Sequence, residues 1–267
     1  MAWDPEQYLR FADHRSRPGL ELIAHIRHED PAFVVDLGCG PGDLTNVLAQ
    51  RWPESRLVGV DSSAKMLTRA QQNHHELKWI EASIEDWQPD RPVDVLFSNA
   101  TLHWLDDHAS LIPLLRSWLA PEGVLAVQMP DNWREPTHTI PADVLDAGDW
   151  PATAVHSLLR DRLSTPTEYR QWLQPASIDM WRVTYYQQLT GPDAVWNWVI
   201  GSVLRPVLAT LDGDDRDRLS ELCRERYADA YPEDGDGGVV LPFSRLFFVA
   251  TADRPLTPLV SGPNANV

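Results

Sequence analysis

The sequence predicts an α/β fold: a doubly wound, mostly parallel sheet of seven strands, with N-terminal helices and helical insertions forming a lid. Three observations predict it. Residues 34–42 read Val-Val-Asp-Leu-Gly-Cys-Gly-Pro-Gly, an acid-tipped strand followed by glycines at every second position (Gly38, Gly40, Gly42) and a helical run from Asp43. A second apolar run, 57–61, ends in Asp61, 21 residues beyond Gly40. Strand-like and helix-like runs then alternate to Met129, and such alternation is the pattern of a parallel sheet wound on both faces.

The elements follow in order. Asp4-Pro5-Glu6-Gln7 starts a helix, with Asp4 as N-cap and Pro5 in the first turn. A break is expected at residues 14–19, and a second helix follows through Leu20, Ile23 and Arg27 to about His28. After strand 34–37 and the glycine turn, Leu44, Val47 and Leu48 recur at helical spacing, strand 57–61 follows, and a helix carries Met66, Leu67 and Ala70. Strand three is 77–81, strand four 93–99, and a helix through Leu111, Leu115 and Trp118 ends near Pro121-Glu122-Gly123 before strand five, 124–129.

Beyond Pro130 the alternation stops. Short helices are expected at 154–163 and 167–173, a sixth strand at 178–189, helices at 193–211 and 214–231, and a final strand at 239–250. The organisation read from this is an N-terminal helical cover (1–30), a ligand-binding core (31–130), a helical insertion (131–177), the rest of the sheet with a second insertion (178–253), and a flexible tail (254–267).

Composition narrows the function. With 267 residues, 43% of them apolar, the chain can bury a full core. Twenty-three basic against 39 acidic residues give a net charge of −16, which repels nucleic acid and anionic membranes. Cys39 and Cys223 are the only cysteines, too few for a disulfide framework or a zinc site, and no metal is expected. No 18-residue apolar span occurs, so a cytoplasmic protein with no membrane contact and no obligate protein partner is expected.

Glycine is required where backbone takes positive φ or lies against a ligand. In the dinucleotide fingerprint the third glycine falls where this chain has Asp43, a carboxylate that would repel a pyrophosphate at the helix start. A nucleoside ligand without phosphate tolerates Asp43, and a cationic one suits Asp36. The stretch resembles the first motif of class I S-adenosylmethionine-dependent methyltransferases, which have a Rossmann-like sheet whose last strand is antiparallel. That resemblance implies S-adenosylmethionine as cofactor, held by Asp36, Gly38, Gly40, Gly42, Asp61 on the ribose diol, its neighbours Ser62 and Met66, Ser83 and Ile84 (with Asp86) at the adenine, and Asn99 at the methionine half.

Longer stretches extend the resemblance: Trp-Asp-Pro-Glu-Gln-Tyr-Leu at 3–9, Asn-Ala-Thr-Leu-His-Trp at 99–104, Trp-Val-Ile-Gly-Ser at 198–202 and Pro-Phe-Ser-Arg-Leu-Phe at 242–247. Together they are similar to the trans-aconitate 2-methyltransferase family. The implied reaction forms the monomethyl ester of a small polycarboxylic acid. A carboxylate is ionised at neutral pH, so no catalytic base is assigned. A trianion in an acidic protein calls for arginines, and the candidates are Arg15 with His14, Arg205 and Arg245. Arg245 stands out as a cation among Pro242, Phe243, Leu246 and Phe247. Tyr8, Trp104, Trp133 and Tyr185 are candidate pocket walls, and His103 either faces the substrate or is simply packed. Open alternatives are another carboxylate acceptor, including a carrier-bound one, and a non-catalytic cofactor-binding module.

Overall fold

The computed structural model describes residues 12–158, 163–201 and 203–252, with all their side chains except those of residues 12–15, 156 and 158. The helix expected from Pro5, and the tail from Arg254, lie outside the described residues. In chain order the elements are α1 (Ala12–His25), β1 (Phe33–Leu37), α2 (Asp43–Arg51), β2 (Arg56–Asp61), α3 (Ala64–Asn73), β3 (Lys78–Glu81), β4 (Val93–Asn99), a single 3₁₀ turn (Leu102–Trp104), α4 (His108–Ser117) and β5 (Leu119–Pro130). Then come α5 (Pro136–Ala147), α6 (Ala152–Leu158), α7 (Pro166–Leu173), β6 (Ser177–Thr190), α8 (Ala194–Val199), α9 (Arg205–Leu208), α10 (Gly213–Ala230) and β7 (Gly238–Thr251).

One sheet carries all seven strands in the order β3-β2-β1-β4-β5-β7-β6. Strands β1 to β5 pair in parallel, while β7 is antiparallel to both β5 and β6. The strand order reverses between β1 and β4, and the crevice beyond the carboxyl ends there is where such sheets bind ligands. β1 is buried along its whole length, as a central strand covered on both faces must be.

Two cores sandwich the sheet. One joins Val35, Leu37, Leu96, Leu125 and Phe248 to helices α4 and α7. The other joins Val34, Phe97, Ala126 and Phe247 to Leu22, Ile23 and Ile26, which place α1 and the turn after it on the opposite face. A third core, with Leu189, Trp198, Val207, Leu219, Val239 and Phe243, lies where the antiparallel β6–β7 pair runs past the other strands and carries the late helices.

Three expectations are corrected. The break at 14–19 is absent: α1 runs through Pro18, because the one N–H that proline removes costs less than the burial of Leu22 and Ile23 on the same helix recovers. β5 starts at Leu119, five residues early; Val93 pairs with Leu119, and a register shift between Val93 and Val95 accommodates Pro121 and Gly123, which hide the strand in the sequence. The helix expected at 193–211 is two short ones, α8 and α9, interrupted around Gly201, with Pro206 in the first turn of the second.

Candidate active site

The glycine turn is tied to β2. The N–H groups of Gly38 and Cys39 donate to the Val60 carbonyl at 2.7 and 3.1 Å. The Asp61 carboxylate accepts the Gly40 N–H on one oxygen and the Ser63 N–H on the other, both at 2.8 Å. Ser63, in turn, caps α3 through the Met66 N–H, so the cap role that competes for Asp61 is filled by its neighbour. Ser62 is exposed and Met66 buried.

The three glycines serve different ends. A Cβ on Gly38 would sit 2.1 Å from the Thr101 side chain, and one on Gly42 would sit 2.5 Å from the Trp79 ring. Those two allow close packing inside the protein. A Cβ on Gly40, at φ 55°, would meet nothing within 4 Å, and this is the glycine that leaves room for a ligand against the backbone.

Beneath the turn, Asp36 is 2% exposed and accepts the Thr45 hydroxyl at 2.7 Å. Burial pushes its carboxyl up to about 7; the Thr45 hydrogen bond opposes the rise and the Asp61 charge adds to it. Burial raises Asp61 as well, against the two backbone N–H groups that favour its anion.

The end of β4 is fastened to the same turn. Ser98 donates to the Leu37 carbonyl and Thr101 to that of Gly38. Ala100 takes φ 53°, a conformation L-residues seldom adopt, and its N–H donates to the Gln128 carbonyl. The Asn99 side-chain oxygen is buried with no hydrogen-bond partner among the described residues. Beyond β3, the Ser83 hydroxyl donates to Asp86 at 2.8 Å, and Ile84 joins the core. His103 is half-buried, its ring 4.9 Å from that of Trp104, which is exposed.

On the other side of the crevice, Arg245 of β7 is 3% exposed. Its Nη1 donates to the Gln128 Oε1 at 3.2 Å, and its guanidinium lies 4.6 Å from the centre of the Phe243 ring. Its charge also acts on Tyr185, whose hydroxyl donates to Glu21 of α1 at 2.5 Å; burial and that bond push the phenol above its ordinary value while Arg245 opposes. Arg17 donates to Glu21 at 2.8 Å. Burial would raise Glu21, but the bonds from Tyr185 and Arg17 outweigh it and hold the carboxyl below its usual range. The indole N–H of Trp133 is buried with no partner among the described residues.

This geometry can be compared with known proteins. A methyltransferase domain model matches residues 34–123. Trans-aconitate 2-methyltransferase of Escherichia coli O17:K52:H18 is 42% identical over 250 residues, 93% of this chain and 97% of that one. The protein of the same name from Methylobacterium nodulans is 43% identical over 257 residues, covering 94% and 99%. The chain belongs to the trans-aconitate 2-methyltransferase family. In fold it is similar to a crystal structure of a putative methyltransferase from Bacillus halodurans, at a TM-score of 0.59, 12% identity, and coverage of 88% of this chain and 98% of that one.

In this member of the trans-aconitate 2-methyltransferase family the sequence-derived candidates separate into groups. Asp36, Gly38, Gly40, Gly42, Asp61 and Asn99 meet at the carboxyl ends of β1, β2 and β4. Arg245 and Tyr185 meet beside α1, three strands away. The side chain of Arg205, half-buried at the start of α9, makes no hydrogen bond or ion pair among the described residues and does not join them. Tyr8 lies outside the described residues; His14 and Arg15 belong to the first turn of α1, and their side chains are outside the description. Sequence reasoning missed Gln128, Glu21 and Arg17. Gln128 carried a signal, as the lone polar residue in the buried run Val124–Met129. Among the described residues no helix is long and apolar enough to cross a membrane, and no group of three or more His, Cys, Asp or Glu could hold a metal ion.

Proposed function

We propose that the protein is an S-adenosylmethionine-dependent O-methyltransferase that esterifies one carboxylate of trans-aconitate or a closely similar small polycarboxylic acid. The observation that carries this reading is Arg245. It is a guanidinium 3% exposed at the carboxyl edge of the sheet, in a protein of net charge −16, beside two neutral polar side chains, Gln128 and Tyr185. The planar fork of a guanidinium matches a carboxylate bidentately, so a polycarboxylate suits this position.

S-adenosylmethionine supplies an electrophilic methyl group on a sulfonium. The residues present fit it: Gly40 leaves open space against the backbone, Asp61 keeps lone pairs for a ribose diol, and the unpartnered Asn99 oxygen accepts from the ammonium of the methionine half. Asp36 adds negative charge below a cationic ligand. On the family resemblance Ser83 and Ile84 would meet the adenine, and Ser62 and Met66 would lie on the ribose side.

No residue needs to take a proton, because the acceptor carboxylate is already ionised. The protein's work is orientation: Arg245 fixes the acid through a fork that matches a carboxylate, while Trp133, Trp104 and His103 wall the approach and the helices of 131–177 exclude water. Positioning of this kind contributes on the order of 7–11 kcal/mol to such reactions. The test is incubation of the purified protein with S-adenosylmethionine and trans-aconitate, followed by mass spectrometry. A monomethyl ester appearing together with S-adenosylhomocysteine is expected. Cofactor binding without ester would remove the acceptor assignment.

A further inference from the structure

Gln128 is fully buried, and only the oxygen of its side-chain amide is engaged, by Arg245. It lies in a strand whose neighbours Val124, Leu125, Ala126, Val127 and Met129 are apolar and equally buried. Its backbone carbonyl is used by the Ala100 N–H, and its side-chain oxygen by Arg245. Its Nε2 is buried with no hydrogen-bond partner among the described residues. A buried amide donor left unpaired is costly, and native proteins rarely tolerate one without use.

The orientation of that amide is dictated. A guanidinium has donors only, so the Gln128 oxygen must face Arg245 and the NH₂ must point elsewhere. Gln128 pairs across the sheet with Asn99 on β4 and with Phe247 on β7, which places its side chain on the face covered by α1. On β4 the lone group is an acceptor, the Asn99 oxygen; on β5 it is a donor, the Gln128 amide. An amide donor next to a guanidinium forms a seat for an anion.

We propose that Gln128 is a specificity-determining residue for the acceptor, its amide donating to a carboxylate of the acid while Arg245 fixes the amide's orientation. The inference rests on the polycarboxylate reading above and names the residue that reads the acid. A Gln128 that only packs the core would affect folding and both ligands alike, and one that only positions Arg245 would be replaced without loss by an acceptor alone.

The test uses the full chain saturated with S-adenosylhomocysteine and titrated with tricarballylate by calorimetry, alongside initial rates with S-adenosylmethionine and trans-aconitate. Gln128→Met keeps the length and removes both the donor and the oxygen that Arg245 uses. It should raise Kd for tricarballylate and KM for trans-aconitate about tenfold or more, with kcat and cofactor Kd changed by less than about threefold. Gln128→Glu keeps the shape, pairs with Arg245 and presents a like charge, so it should abolish acid binding while the cofactor still binds; it carries the test if Gln128→Met does not fold. A folded variant with wild-type acid affinity, or one losing acid and cofactor affinity equally, overturns the inference. Wild-type turnover of trans-aconitate together with an indifferent Gln128→Met sinks the inference alone. Tricarballylate binding with the expected dependence on Gln128 but no ester sinks the acceptor reading alone. No polycarboxylate binding at all sinks both.

Discussion

The two sides of the crevice are built from opposite materials. On the side of β1 and β2 the polar groups are carboxylates and backbone: Asp36 and Asp61, with the glycine turn hung from Val60 and closed by the Gly40 N–H. On the side of β5, β6 and β7 they are a guanidinium, an amide, a phenol and an indole, drawn from residues 128, 133, 185 and 245, and the Glu21 carboxylate beside them is taken up by Tyr185 and Arg17. The first side suits a cation and the second an anion. Two ligands of opposite charge can therefore be sorted without any residue that chooses between them, since each is repelled from the other's seat.

If this division is right, mutations should separate the ligands cleanly. The largest effect is expected at Arg245→Ala, which should raise KM for trans-aconitate on the order of a hundredfold while cofactor Kd moves less than about threefold. Initial-rate kinetics with each substrate varied would check it, and equal losses would make Arg245 a structural ion. Asp61→Ala should do the reverse, weakening the cofactor about tenfold or more by equilibrium titration and leaving acid affinity alone.

Next comes pH. The Asp36 carboxyl stands at about 7 when folded, so cofactor affinity should climb up to about tenfold between pH 6 and 8 as the anion forms, and Asp36→Asn should flatten the curve. The same group takes up protons more readily folded than unfolded, so without ligand its contribution to stability falls as pH rises from about 4 to about 7 and is level above that. Single-turnover methyl transfer at saturating cofactor should show no steep rise between about pH 6.5 and 8.5, since the acceptor has no proton to lose. The smallest effect is at Glu21, which is solvent-screened: Glu21→Gln should cost less than about 1 kcal/mol, read as a drop in Tm of a few degrees. Its folded carboxyl is held low, so the stability it gives is present above the ordinary carboxylate range and lost as pH falls through it.

The cofactor side was legible because it is local. Strand, turn and helix from Val34 to Arg51, and Asp61 at the next strand end, are consecutive pieces whose spacing carries the geometry. The acceptor side is assembled by the sheet order, which sets Gln128 beside residues 117 positions later; Arg245 showed itself only as a charge in an apolar run. Glu21 and Arg17 were invisible because the sequence suggested a helix break at Pro18, and their roles depend on an unbroken α1 lying against β6. Gln128 could have been suspected, but one polar residue in a buried strand does not say which partner satisfies it.

The antiparallel β6–β7 pair runs without interruption from Ser177–Thr251 to Thr190–Gly238, and its two halves belong to different cores. Arg245 falls at the seam, two residues from Phe243 of the outer core and next to Leu246 of the inner one. For an evolving lineage this is a convenient hinge between inheritance and novelty. The outer helices can be exchanged while the half packed against the parallel strands keeps its sequence, and a protein engineer could graft at the same joint.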